Sequence, residues 1–166
     1  MIKKIFMILV WITFGVVSTL GIQKYQSYKI ETSNMCFYER EDIFGYTGQN
    51  VFDAVNCYRK QQGLEPFIMD DDLCVNLGQR YFDYLADPKT AHAGFDKWAD
   101  EKFKEGFKTV SENVELNQPS LKGAIDGWNG SPGHHLTLID TEQKYACTYV
   151  AQGYALLVIG SKENEN

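Results

Sequence analysis

The 166-residue chain is short of proline, with four, and of histidine, with three, and only 16 of its side chains are Lys or Arg. So little proline, and no Gly-X-Y period, excludes collagen-like or polyproline rods. The shortage of bases leaves a net charge of −6. The first 21 residues hold Lys3 and Lys4 and no acid, so beyond them 14 bases face 22 acids, a balance of −8. A surface of that sign repels phosphate backbones and excludes nucleic acid as a partner. No C-x-x-C pair marks a zinc ribbon. No repeat of about 20–50 residues marks a solenoid or propeller. A polytopic membrane protein would need several long apolar runs, and the chain has one. With 44% hydrophobic residues, the remainder suits one compact domain.

That single run, Ile5 to Ile22, follows Lys3 and Lys4 directly. A short basic stretch before an apolar one is the layout of an export signal. Its 18 residues also reach the length, about 17–25, that spans a bilayer as a helix. Residues 1–22 therefore read as a signal peptide or an N-terminal membrane anchor, with residues after 22 outside the cell. No small-x-small cleavage triplet stands out beyond Thr19-Leu20-Gly21, so both readings stay open. Cys36, Cys57, Cys74 and Cys147 form an even set. In an oxidising compartment they predict two disulfides, with three pairings open.

Residues 23–46 mix charges and aromatics without a period and read as a linker and N-terminal arm, packed near Phe44. A domain is expected over 47–160 and a polar tail over 161–166. Val51, Val55 and Tyr58 recur at helical spacing in a helix from Asn50 to Gln62, which Gly63 caps and Pro66 terminates. Asp70-Asp71-Asp72 supplies a helix start. From there a second helix carries Leu73, Leu77, Tyr81, Tyr84 and Leu85 on one stripe and stops before Pro88. Lacking a Gly and a distal Glu, the acidic run is no EF-hand loop. Shorter helices are predicted over Trp98–Glu105 and Ser120–Trp128, with Trp98 and Trp128 as core or cleft wall. YACTYVA and YALLVIG read as strands joined at Ala151-Gln152-Gly153, with another strand near Lys108–Asn113. Helices with strands clustered late predict an α+β domain built on an antiparallel sheet.

Chemistry centres on His92 in AHAG, His134 and His135 in SPGHH, and Glu112 in VSEN. Two imidazoles and a carboxylate make an open catalytic zinc set. His92 and His134 are thus candidate ligands for Zn²⁺ or another divalent cation, and Glu112 a third ligand or a base. Their spacings of 20 and 22 residues carry no local signature, and hydrogen-bonded structural residues are the competing reading. His135 is expected to point away if the backbone there is strand-like.

Order and context add a resemblance. V-N-C-Y-R-K-Q-Q-G-L-E-P-F followed by D-D-D-L is similar to the opening of the CAP superfamily, through Asn56, Arg59, Gly63, Leu64, Pro66 and Leu73. AHAG resembles the loop of its first histidine, VSEN its G-E-N element, and W-N-G-S-P-G-H the Trp-to-Gly-His element of its bacterial, SCP-like branch. The likeness covers residues 49–160. It implies a three-layer α-β-α sandwich with an open cleft of two histidines and two glutamates, which in some members holds a divalent metal. Carried over, the cleft residues are His92, Glu112 and His134. Ser131 stands where the second glutamate would be, and Ser111 where the Gly of G-E-N would be. The resemblance implies an exported or anchored protein whose cleft binds a lipid, glycan or protein at the cell envelope. The alternatives are a metal-assisted hydrolase with Glu112 as base or third ligand, or a structural domain with a vestigial site.

Overall fold

The structure, a computed structural model, describes residues 35–39 and 45–163. The apolar run over 5–22, most of the 23–46 segment and the last three residues lie outside them. After a 3₁₀ turn at Phe37–Glu39 the elements run α1 (Gly48–Gln61), β1 (Ile68–Met69), α2 (Asp71–Cys74), α3 (Gln79–Ala86) and α4 (Phe95–Lys104). They continue with β2 (Phe107–Leu116), α5 (Leu121–Gly130), α6 (Pro132–Leu138), β3 (Tyr145–Ala151) and β4 (Tyr154–Lys162).

The sheet order is β1-β3-β4-β2. β4 pairs antiparallel with β3 on one side and β2 on the other. The antiparallel sheet expected from the sequence gains one member at its edge: β1 runs parallel to β3 through two residues. Two residues leave no alternation to read. The register is set instead by Asn56, whose side chain brackets the Phe67 amide and carbonyl at 2.8 and 3.0 Å.

β4 alternates between two cores. Ala155, Leu157 and Ile159 pack with Val51, Val55, Ile125, Trp128 and Leu138 of α1, α5 and α6. Tyr154, Leu156 and Val158 pack with Leu73, Leu77, Tyr81, Trp98 and Phe107 on the other side. A strand buried on both faces reads as a continuous apolar run, which YALLVIG is. Helices on both faces of one sheet make the three-layer α-β-α sandwich that the resemblance implied, in an α+β fold.

The first helix follows the predicted face, with Val51, Val55 and Tyr58 all buried. Gly63 stands at φ +74 just past its end, in the left-handed region a glycine enters freely. Val55→Asp is expected to cost several kcal/mol, since a carboxylate would enter a fully buried site with no partner; an unchanged thermal midpoint would contradict the packing described.

The second predicted helix is two. Asp70 caps α2 through its carboxylate, accepting from the Leu73 amide at 3.1 Å. The helix then stops at Cys74, because Val75 is extended and Asn76 turns to φ 58. Asn tolerates that conformation, and Cys74 is tied to Cys147 of β3. The break costs the stripe its last member: Leu77 and Tyr81 still face the core, but Leu85 is 52% exposed. Gln152-Gly153, both at positive φ, join β3 to β4 as a two-residue hairpin.

Other boundaries move at the ends. The packed arm begins by Cys36, which is buried and bonded to Cys57 of α1, with Tyr38 buried beside it. Ser161 and Lys162, expected in the tail, extend β4, and Lys162 reaches Asp70 at 2.7 Å. α6 was not foreseen; it starts at Pro132, and proline is favoured at a helix start.

Candidate functional site

Glu112 lies opposite Val158 in the β2–β4 register, so its side chain faces the layer of α3 and α4. Asn113 beside it faces the other layer, where its amide donates to the His134 carbonyl at 2.7 Å. β2 is an edge strand, and the two layers meet around that edge. This is how residues from the loop before α4, from β2 and from α6 come to one place.

His92 Nδ1 lies 2.7 Å from Glu112 Oε1, and the His92 and His134 rings are 6.1 Å apart between centroids. The third party was missed in the sequence. Arg80 of α3, 1% exposed, places Nη2 2.9 Å from both oxygens of Glu112. Its Nη1 donates to the Ala93 carbonyl and lies 3.6 Å from Asp83 Oδ2. A signal was there: Arg80 sits three residues after Leu77 and beside Tyr81, on the apolar stripe, where a charge needs a buried counterion.

A carboxylate that accepts from Arg80 makes His92 Nδ1 the donor in the neutral ring and leaves the Nε2 lone pair free. The His92 side chain is 47% exposed, so that lone pair is within reach of solvent and ligand. Gly94, at φ +76, closes the loop under Arg80. A Cβ there would collide with the Asp83 carboxylate and Arg80 Nη1.

His134 differs from His92. Its Nδ1 is buried and has no partner among the described residues. Burial, aided by the charge of His92, pushes its pKa below the usual 6.5, against an opposing pull from Glu115 and Glu112. A histidine depressed in the folded state favours folding above its unfolded pKa and loses that contribution as pH falls through the folded value. The domain should therefore lose stability below about pH 6.5, and His134→Gln should flatten this part of the curve. Thermal midpoints of the two proteins at several pH values check this; parallel curves would contradict it.

Ser131 is the corner between α5 and α6, its amide donating to Trp128 and its carbonyl accepting from His135, and its hydroxyl makes no capping bond. His135 does point away, but on a helix rather than a strand, toward Asn129 Oδ1 at 3.0 Å and the Tyr58 hydroxyl at 3.4 Å. Ser111 accepts from the Gln143 amide at 2.9 Å.

The donors do not fit a zinc ion. A catalytic zinc site takes three protein ligands. Here both Glu112 oxygens are engaged by a guanidinium, which leaves two imidazoles. Among the described residues no three metal-binding side chains converge.

No family model matches the chain. It is similar to YkwD, an uncharacterized protein of Bacillus subtilis, with 25% identity over 114 residues, 64% of this chain and 41% of that protein. The fold is similar to a cysteine-rich secretory protein of Staphylococcus aureus, with TM-score 0.60 and 18% identity over 69% of this chain and 38% of that one. An extracellular protein of Bacillus anthracis containing an SCP domain gives TM-score 0.58 and 21% identity over 69% of this chain and 40% of that one. An outer surface protein of Borrelia burgdorferi gives TM-score 0.62 and 16% identity over 72% of this chain and all of that one. The chain has the fold of bacterial SCP domains, the CAP-like branch its motifs resemble. It spans about two fifths of the Bacillus subtilis relative and of the first two solved proteins.

Proposed function

We propose that this is an extracellular binding domain, exported or anchored by residues 5–22, whose histidine cleft holds a polar ligand, a glycan or protein of the cell envelope, without turning it over. The observation that carries this reading is the state of Glu112. A carboxylate held on both oxygens by Arg80 and on one by His92 is poorly placed to act as a third metal ligand or to take a proton from water. What remains toward solvent is imidazole, which donates and accepts hydrogen bonds. Location outside the cell is supported by the two disulfides, Cys36–Cys57 and Cys74–Cys147. It is supported too by relatives described as secretory, extracellular or outer-surface.

The test is a binding screen of the full chain against envelope glycans, lipid vesicles and envelope proteins, with product analysis on every hit. Binding without product, weakened about tenfold by His92→Ala, is expected, as for the loss of one good hydrogen bond. Release of product by the wild type and not by His92→Ala would replace this reading with the hydrolase.

A further inference from the structure

Granted that the cleft binds without turnover, its two histidines define the class of ligand. We propose that they play opposite hydrogen-bonding roles, His92 Nε2 accepting and His134 Nε2 donating, and that they hold a neutral sugar of an envelope glycan by one hydroxyl between them.

The roles follow from what stands behind each ring. The Glu112 carboxylate only accepts, so the 2.7 Å contact puts a proton on His92 Nδ1 and a lone pair on Nε2. Nothing stands behind His134: its Nδ1 is sealed and has no partner among the described residues. A sealed N–H without an acceptor is rarer in proteins than a sealed lone pair without a donor, so the proton belongs on Nε2. With Nδ1 sealed, a ligand can meet this ring only at Nε2. The same feature works against a cation, since ligation at Nε2 would move the proton to Nδ1, where nothing accepts it.

A hydroxyl donates to one partner while it accepts from another. One oxygen bonded to two nitrogens at about 2.9 Å holds them up to about 5.8 Å apart, a span that rings 6.1 Å apart between centroids can meet. A carboxylate would satisfy His134 and turn its charge on the His92 lone pair; an ammonium would do the reverse. The neighbouring charges also disfavour an anion. The carboxylates of Glu112 and Glu115 are both close enough to act on His134. Arg80 answers the first, but Glu115 accepts from the Gln118 amide at 3.2 Å and has no ion pair among the described residues. Sugars carry neutral hydroxyls in numbers on an exposed ring, whereas a protein offers them singly on Ser and Thr.

The test is nitrogen NMR of the histidine rings of the full chain at about pH 8, where imidazole is neutral. Before any ligand is added, His92 should carry its proton on Nδ1 and His134 on Nε2. Titration then uses glucose and an N-acetylglucosamine trimer as neutral sugars, and glucuronate and acetate as anions. The neutral sugars should move both Nε2 resonances saturably, with glucuronate weaker than glucose and acetate weaker still. In calorimetry, His134→Leu should weaken the trimer about tenfold, as for one lost hydrogen bond. His134→Gln, which returns an N–H near the place of Nε2, should weaken it less. A proton on His134 Nδ1 overturns the proposal. So do Nε2 resonances unmoved by both neutral sugars, or acetate binding as tightly as glucose. Cleavage of the trimer with these tautomers and shifts intact would support the hydroxyl contact and overturn only the absence of turnover.

Discussion

Arg80→Met is expected to destabilise the domain by about 3–5 kcal/mol, the cost of leaving one member of a buried ion pair without its partner. Methionine approximates the length of the arginine stem, so the loss is chiefly of charge and hydrogen bonds rather than of packing. Glu112 would keep the His92 contact and lose Nη2 from both oxygens. The Ala93 carbonyl would lose its donor as well, releasing the loop that carries His92. In a domain of this size such a loss corresponds to a fall in melting temperature of roughly 10–20 °C. Glu112→Leu alone should be similarly costly, because it strands Arg80. Combined with Arg80→Met it should cost much less than the sum, since no buried charge is then left alone. A thermal or urea double-mutant cycle decides the matter; additive losses would show that the two side chains do not act as a pair.

The second large effect is expected from the disulfides, and the two should differ. Cys74–Cys147 closes a span of 73 residues and Cys36–Cys57 one of 21. Chain-entropy arguments assign the longer loop about 4 kcal/mol and the shorter about 3 kcal/mol, because the unfolded chain loses more freedom when distant points are joined. The double variant Cys74→Ala/Cys147→Ala should therefore lie below Cys36→Ala/Cys57→Ala in urea midpoint. The longer bridge also holds α2 against β3 beside the two-residue β1. If both variants unfold at the wild-type midpoint, cross-linking contributes nothing to this fold.

Much of this was legible in the residues. β4 announced itself by seven consecutive apolar or aromatic residues and glycine, because a strand covered on both faces has no polar side to show. α1 was legible through its 3.6-residue stripe and α5 in its span, whereas the caps Thr47 and Ser120, whose oxygens accept from amides three residues on, went unread. The break between α2 and α3 was hidden, since Leu73, Leu77 and Tyr81 keep helical spacing across it while Asn76 turns the backbone. β1 was hidden by its length. At the site, the motifs led to His92, Glu112 and His134. The partner that decides what Glu112 can do, Arg80, lies 32 residues away, and pairing at that distance leaves no mark on local spacing.

β4 has strands on both edges and helices on both faces, so its amides from Tyr154 to Gly160 have no short route to water. Deuterium should enter there last, and only when the whole sandwich comes apart. β2 has one open edge, and the helix ends around it are held by single side chains such as Asn113 and Arg80. Exchange at Glu112 and His134 should be faster by the difference between local and global opening. The edge that carries Glu112 can thus open locally while the strand paired with it stays closed.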